Sequence, residues 1–221
     1  MAVNNSLCYD EYKTDGVREA AGFVNVAEFI SDVDTDIRYC SDFNFVGTRI
    51  DFYLAPIAYL TKEAAYALKG VSDCLRKEGY RIKIYDAYRP QTAVNHFKRW
   101  AEDLDATEMK RYFYPDVDKS EMFKRGYLAQ KSDHSRGSSV DLTLVDIKSG
   151  QEVDMGSGFD FFGEISHSYQ TSGLTQSQID NRCILRDAMI QNGFRPLEEE
   201  WWHFTLENEP YPDTYFDFPI K

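Results

Sequence analysis

The chain has 221 residues, of which 43% are hydrophobic and 15% aromatic; that is enough for one substantial core and too few for two comfortable domains. A formal net charge of -12 argues against nucleic acid and anionic membrane as partners, since phosphate surfaces select basic patches, and no window approaches the roughly 18 apolar residues of a membrane span. These exclusions leave a soluble protein that acts on something small or cationic. One domain is expected over residues 1–221, with 1–30 an N-terminal extension that carries no usable motif.

Met1 to Gly16 is polar and acidic and lacks the basic start and apolar stretch of a secretory leader. This points to the cytoplasm, or to export only where a leader has already been removed. Nothing in the pattern specifies an oligomeric state. Residues 61–79 put Ala64, Ala67, Leu68, Val71, Cys74 and Leu75 at helical spacing, with Thr61 as N-cap and Gly79 as the stop. Residues 81–88 alternate like a half-buried strand that Pro90 ends, and 91–103 form a second helix. The stretch 104–131 is charged and aromatic without a clean period, a wall or lid of short helices. Strand alternation returns at 138–146, and 150–175 read as a long loop rich in Gly and Ser. A helix over about 176–192, with Ile179, Cys183, Ile184 and Ile190 among its apolar residues, stops at Gly193. Residues 203–207 form a last strand. The elements do not alternate strictly as β-α-β, so the fold class is α+β, a mostly antiparallel central sheet flanked by helices. Cys8, Cys40, Cys74 and Cys183 are scattered with no C-x-x-C pair, which argues against a thiolate zinc site and for buried, reduced thiols.

The chemistry concentrates in Ser-Asp-His-Ser-Arg-Gly-Ser-Ser-Val-Asp at 132–141 and Glu-Trp-Trp-His at 200–203. His134, Asp141 and His203 are nitrogen and oxygen donors of the kind that hold a catalytic zinc while leaving a position open. Glu200 is then spare to act as base. His134 and Asp141 converge only if the chain turns back at Gly137, and Asp141 shares a strand face with Ser139 and Thr143. Glu200 and His203 meet only if 200–203 is a turn or bulge, since a regular strand would face them apart. Trp201 and Trp202 supply apolar bodies that can fix rotamers and exclude water. Zinc held by two neutral imidazoles and one carboxylate keeps about one positive charge and acidifies water, whose proton Glu200 accepts. Arg89, at the end of a strand in Asp-Ala-Tyr-Arg-Pro, can face the developing oxyanion with more than one hydrogen bond. Taken alone, each residue has a blander role: His96 and His167 are read as structural or surface histidines, and Asp160 as a turn cap.

In combination, S-x-H-x-x-G-x-x-x-D and the downstream E-x-x-H resemble the zinc D-Ala-D-Ala metallopeptidases. Tyr-Asp-Ala-Tyr-Arg-Pro, Asp-Leu-Thr-Leu, Met-Gly-Ser-Gly-Phe-Asp and Glu-Trp-Trp-His-Phe are similar to the D-alanyl-D-alanine dipeptidase branch that includes the vancomycin-resistance dipeptidases, over about residues 35–208. The resemblance implies the Hedgehog-like metallopeptidase fold, with a zinc site at the sheet. It implies one Zn2+ per chain on His134, Asp141 and His203, Glu200 as catalytic base and Arg89 as transition-state stabiliser. It further implies that Asp160 holds the substrate ammonium and that Ser132, Tyr39 and Phe97 line a small pocket. Ser139 departs from the Ala usual in the wider family, and Asp133 adds a negative charge beside His134. The implied reaction is hydrolysis of D-Ala-D-Ala, in removal of a cell-wall precursor or recycling of a wall product. A carboxypeptidase or endopeptidase that trims stem peptides, and a non-catalytic zinc-containing binding module, are the competing readings.

Overall fold

Two sequence patterns dominate the architecture: alternation that builds the middle of a sheet, and helical stripes that cover it. The computed structural model describes residues 22–221. In chain order the elements are β1 (Phe23–Asn25), α1 (Val26–Phe29), β2 (Asp34–Thr35), β3 (Tyr59–Thr61), α2 (Lys62–Lys77), β4 (Tyr80–Asp86), α3 (Gln91–Glu102), α4 (Lys110–Phe113), β5 (Ser139–Asp146), α5 (Gln176–Gln191), β6 (Phe194–Pro196) and β7 (His203–Leu206). The main sheet has the order β2-β4-β5-β7-β6, and every pair in it is antiparallel except β2–β4. A separate antiparallel pair joins β1 to β3. The α+β expectation therefore holds, with a single parallel edge pairing. Among the described residues no helix is long and apolar enough to cross a membrane.

Strand β5 carries the polarity of the site. Ser139, Asp141 and Thr143 share one face, and all three are buried, as are Val140, Leu142 and Leu144 on the other. The apolar row joins Ile82 and Ile84 of β4, the strand against which α2 lies. Helix α2 begins as its sequence dictates, with Thr61 Oγ1 accepting from the Ala64 N–H.

Two expectations change, and one left open is filled. Residues 22–30, in the stretch whose structure the sequence leaves uncertain, join the fold: Phe23 pairs with Thr61 and packs edge-on against Tyr88, Phe216 and Phe218. The leader reading of Met1 to Gly16, and Cys8, lie outside the described residues. Helix α5 buries Arg182, Leu185, Ala188 and Met189, and leaves Ile190 47% exposed. The sequence stripe is displaced because Arg182, polar by type, turns inward to bond the Met155 and His167 carbonyls. Cys40, Cys74 and Cys183 are unpaired thiols, as expected, but only partly buried.

Candidate metal centre and active site

A local irregularity in β4 assembles the site. The β4–β5 register runs Ile84↔Leu142 and then Asp86↔Asp141, so Tyr85 is the extra residue of a bulge. Regular alternation would turn Asp86 to the opposite face; the bulge places it across from Asp141. Asp141 is in turn paired with His203 on β7. Asp86, Asp141 and His203 thus stand in one row across three adjacent strands.

His134 arrives from a tight turn, Asp133–Arg136, capped by Ser132 Oγ accepting the His134 N–H. Gly137 ends that turn with φ 80°, and a Cβ there would fall 2.2 Å from the Phe23 ring. Both neighbours fasten the turn: the Arg89 N–H donates to the His134 carbonyl and the Thr61 N–H to that of Gly137. The downstream segment turns as its spacing requires, with the His203 N–H donating to the Glu200 carbonyl at 3.3 Å.

The donor atoms form a nearly equilateral triangle. His134 Nε2 lies 3.0 Å from His203 Nδ1 and 3.2 Å from Asp141 Oδ1, and His203 Nδ1 lies 3.1 Å from Asp141 Oδ1. Tetrahedral zinc with bonds of about 2.0–2.1 Å sets its ligand atoms about 3.3 Å apart, so the triangle fits that ion closely. These residues form the metal-donor cluster found among the described residues, and all are buried. The His134 Nδ1–H donates to the Ala87 carbonyl at 2.6 Å, which leaves Nε2 as the free lone pair. Burial alone would push Asp141 up, but the His134 and His203 rings hold its carboxyl well below the usual carboxylate range.

The triangle opens into a cavity of about 210 Å3 lined by Tyr39, Arg89, Phe97, Ser132, Asp160 and Glu200, among others. Every site residue named from the sequence borders it. Glu200 Oε2 is 3.9 Å from His203 Nδ1, and burial pushes its carboxyl up to about 7, with nearby Asp141 adding to the effect. Arg89 Nε donates to Asp86 Oδ2 at 2.9 Å, Nη2 is 3.6 Å from Asp141 Oδ2, and the guanidinium faces the Tyr39 and Phe97 rings at 5.1 and 5.3 Å. Asp160 is 5% exposed, sits at φ 59° and accepts the Tyr39 O–H at 2.9 Å. Burial, then the charges of Asp141 and Glu200, push its carboxyl well above its ordinary range. A cavity holding this many carboxylates calls for cations, which a metal ion and an ammonium group would supply.

Other residues fall elsewhere. His96 accepts the Asp51 N–H away from the cluster, and His167 bonds Arg182 through its carbonyl. Trp201 and Trp202 do not touch the donors through hydrogen bonds; Trp201 Nε1–H donates to Ser157 Oγ and Trp202 packs on Phe159, so they brace the loop that carries Asp160. The Asp133 side chain is 42% exposed and paired with Arg136 at 2.6 Å; that guanidinium also holds Glu209, and the Asp133 charge still contributes to raising His203. The sequence reading missed Asp86, which holds Arg89 and accepts the Tyr53 O–H at 2.6 Å, because the bulge that aims it leaves no mark in a strand pattern. It also missed Thr205, two residues from His203 and therefore on the same strand face, a signal that was available.

Comparison with known proteins agrees with this geometry. Residues 19–221 match the family model described as Peptidase_M15, D-ala-D-ala dipeptidase. The chain is 40% identical over 200 residues to a D-alanyl-D-alanine dipeptidase of Enterococcus faecium, covering 90% of this chain and 98% of that protein. It is 40% identical over 198 residues to one of Streptomyces coelicolor, with the same coverage of 90% and 98%. A D-alanyl-D-alanine dipeptidase of Escherichia coli is 34% identical over 183 residues, 83% of either chain. With a metal-donor triangle, a carboxylate beside it and a match along nearly its whole described length, this chain belongs to the D-Ala-D-Ala dipeptidase family of M15 metallopeptidases.

Proposed function

We propose that the protein is a zinc-dependent dipeptidase that hydrolyses free D-Ala-D-Ala to two D-alanines. The observation that carries this reading is the small cavity with the donor triangle and the buried Asp160–Tyr39 pair on the same walls. Its volume of about 210 Å3 is below the roughly 300–1,000 Å3 typical of drug-sized ligands. His134, Asp141 and His203 would hold the zinc, which supplies Lewis acidity when bound.

The remaining steps belong to side chains. Glu200, beside the donor triangle, takes the proton of the attacking water on Oε2 and delivers it to the departing amine. The Arg89 guanidinium, fixed by Asp86, donates to the carbonyl oxygen as negative charge develops there. Asp160, oriented by Tyr39, pairs with the substrate ammonium, and Ser132 and Phe97 close the pocket around the methyl groups.

The test compares purified enzyme on D-Ala-D-Ala, on N-acetyl-D-Ala-D-Ala and on a stem peptide ending in D-Ala-D-Ala, with metal analysis alongside. Capping the amine leaves a buried carboxylate unpaired, so the capped dipeptide should be cut at least about 10²-fold less efficiently. Comparable kcat/KM on the stem peptide would favour a carboxypeptidase, and absence of bound zinc with absence of hydrolysis would end the metallopeptidase mechanism.

A further inference from the structure

Behind the donor triangle lies a second buried row. Ser139↔Thr205 and Asp141↔His203 are alternate pairs of the β5–β7 ladder, with Val140↔Phe204 between them, so their side chains share one face. His203 Nε2 is 3.1 Å from Thr205 Oγ1, and Thr205 Oγ1 is 2.8 Å from Ser139 Oγ. Ser139 is 0% and Thr205 2% exposed, so water does not readily substitute for either hydroxyl.

The two histidines are oriented differently. His134 rests on a backbone carbonyl, which only accepts, and its tautomer is decided by that contact. The partner of His203 is a hydroxyl, which can accept or donate. Offering Nδ1 as a lone pair requires the ring to keep its proton on Nε2 and Thr205 to accept it. Thr205 is free to do so when its own proton has somewhere to go, and Ser139 Oγ lies at hydrogen-bonding distance.

We infer that Thr205 and Ser139 are positioning residues whose hydroxyl chain, running from the His203 Nε2–H to Thr205 and on to Ser139, holds His203 in the tautomer and ring orientation that bind metal. The inference rests on the metal assignment above and adds residues outside the donor set. Removing such an outer partner weakens metal binding about 10–100-fold.

The experiment measures the zinc dissociation constant by competition with a chromophoric chelator, together with the unfolding temperature of the metal-free protein. Thr205→Val keeps the shape and deletes the hydroxyl, and should weaken zinc binding about 10–100-fold. Ser139→Ala should weaken it less, Thr205→Ser should restore it, and adding Ser139→Ala to Thr205→Val should change nothing further, because Ser139 acts through Thr205. The metal-free unfolding temperature should not follow the order of the zinc affinities. Zinc affinity in Thr205→Val equal to the parent's would overturn the inference, as would a Thr205→Ser variant as weak as Thr205→Val. Should Thr205→Val fail to fold, Ser139→Ala against the parent decides. A parent protein that binds no zinc would instead overturn the metal assignment itself.

Discussion

Arg89 enters the cavity with its guanidinium already committed, Nε to Asp86 and the carbon centre 5.1 and 5.3 Å from the Tyr39 and Phe97 rings, which touch each other. Lysine cannot reproduce the fork, so Arg89→Lys should lose about 3–4 kcal/mol of transition-state stabilisation, read mainly in kcat. Asp86→Asn should act in the same direction through misplacement, lowering kcat by up to about 10²-fold while leaving zinc content intact. Steady-state kinetics of the two single variants and their combination check this; full additivity would mean that Asp86 acts independently of Arg89. Glu200→Gln preserves size but removes the proton acceptor, and turnover should fall about 10²–10⁴-fold with zinc retained. Loss of zinc in that variant would make Glu200 a ligand.

At the scale of elements, the turn and the bulge matter more than the regular strands beside them. Gly137→Ala puts a side chain at φ 80° and a Cβ 2.2 Å from the Phe23 ring; strain and overlap together should cost more than about 2 kcal/mol and lower Tm by about 4 °C or more. A thermal melt within a degree of the parent would show that Phe23 moves aside freely. The long helices, the strands at 80–86 and 139–146 and the donor residues were legible because each carries a sustained period or a fixed spacing. Strands β1, β2, β3 and β6 were not, since two or three residues are too few to display alternation. The bulge at Tyr85 was invisible for a related reason: one extra residue resembles regular strand until its partner is known. The inward Arg182 shows a further limit, because helical period reads residue type and cannot foresee that an arginine will be buried to tie down the loop carrying Asp160.

The whole molecule should feel the charge of its site through pH. In metal-free protein, burial raises the Glu200 carboxyl from its ordinary 4.5 to about 7. Although burial opposes it, the Asp141 contact raises His203. A raised acid binds protons more readily when folded, so stability declines as pH climbs from about 4.5 towards 7; a raised histidine has its full contribution below its unfolded pKa and loses it as pH passes the folded one. Both effects carry the same sign. The Tm of chelator-treated protein should therefore fall between about pH 5 and 7.5, and zinc should flatten or reverse that slope. A metal-free Tm that rises over this interval would refute the assignment of both groups. Because Asp141 and His203 face each other across the β5–β7 ladder, the donor triangle also records how the chain was paired. A slip of one residue would turn His203 to the other side of the sheet and dismantle the triangle, while much of the backbone hydrogen bonding could re-form. In a refolded preparation, bound zinc per chain would thus count the molecules whose central strands closed in the native register.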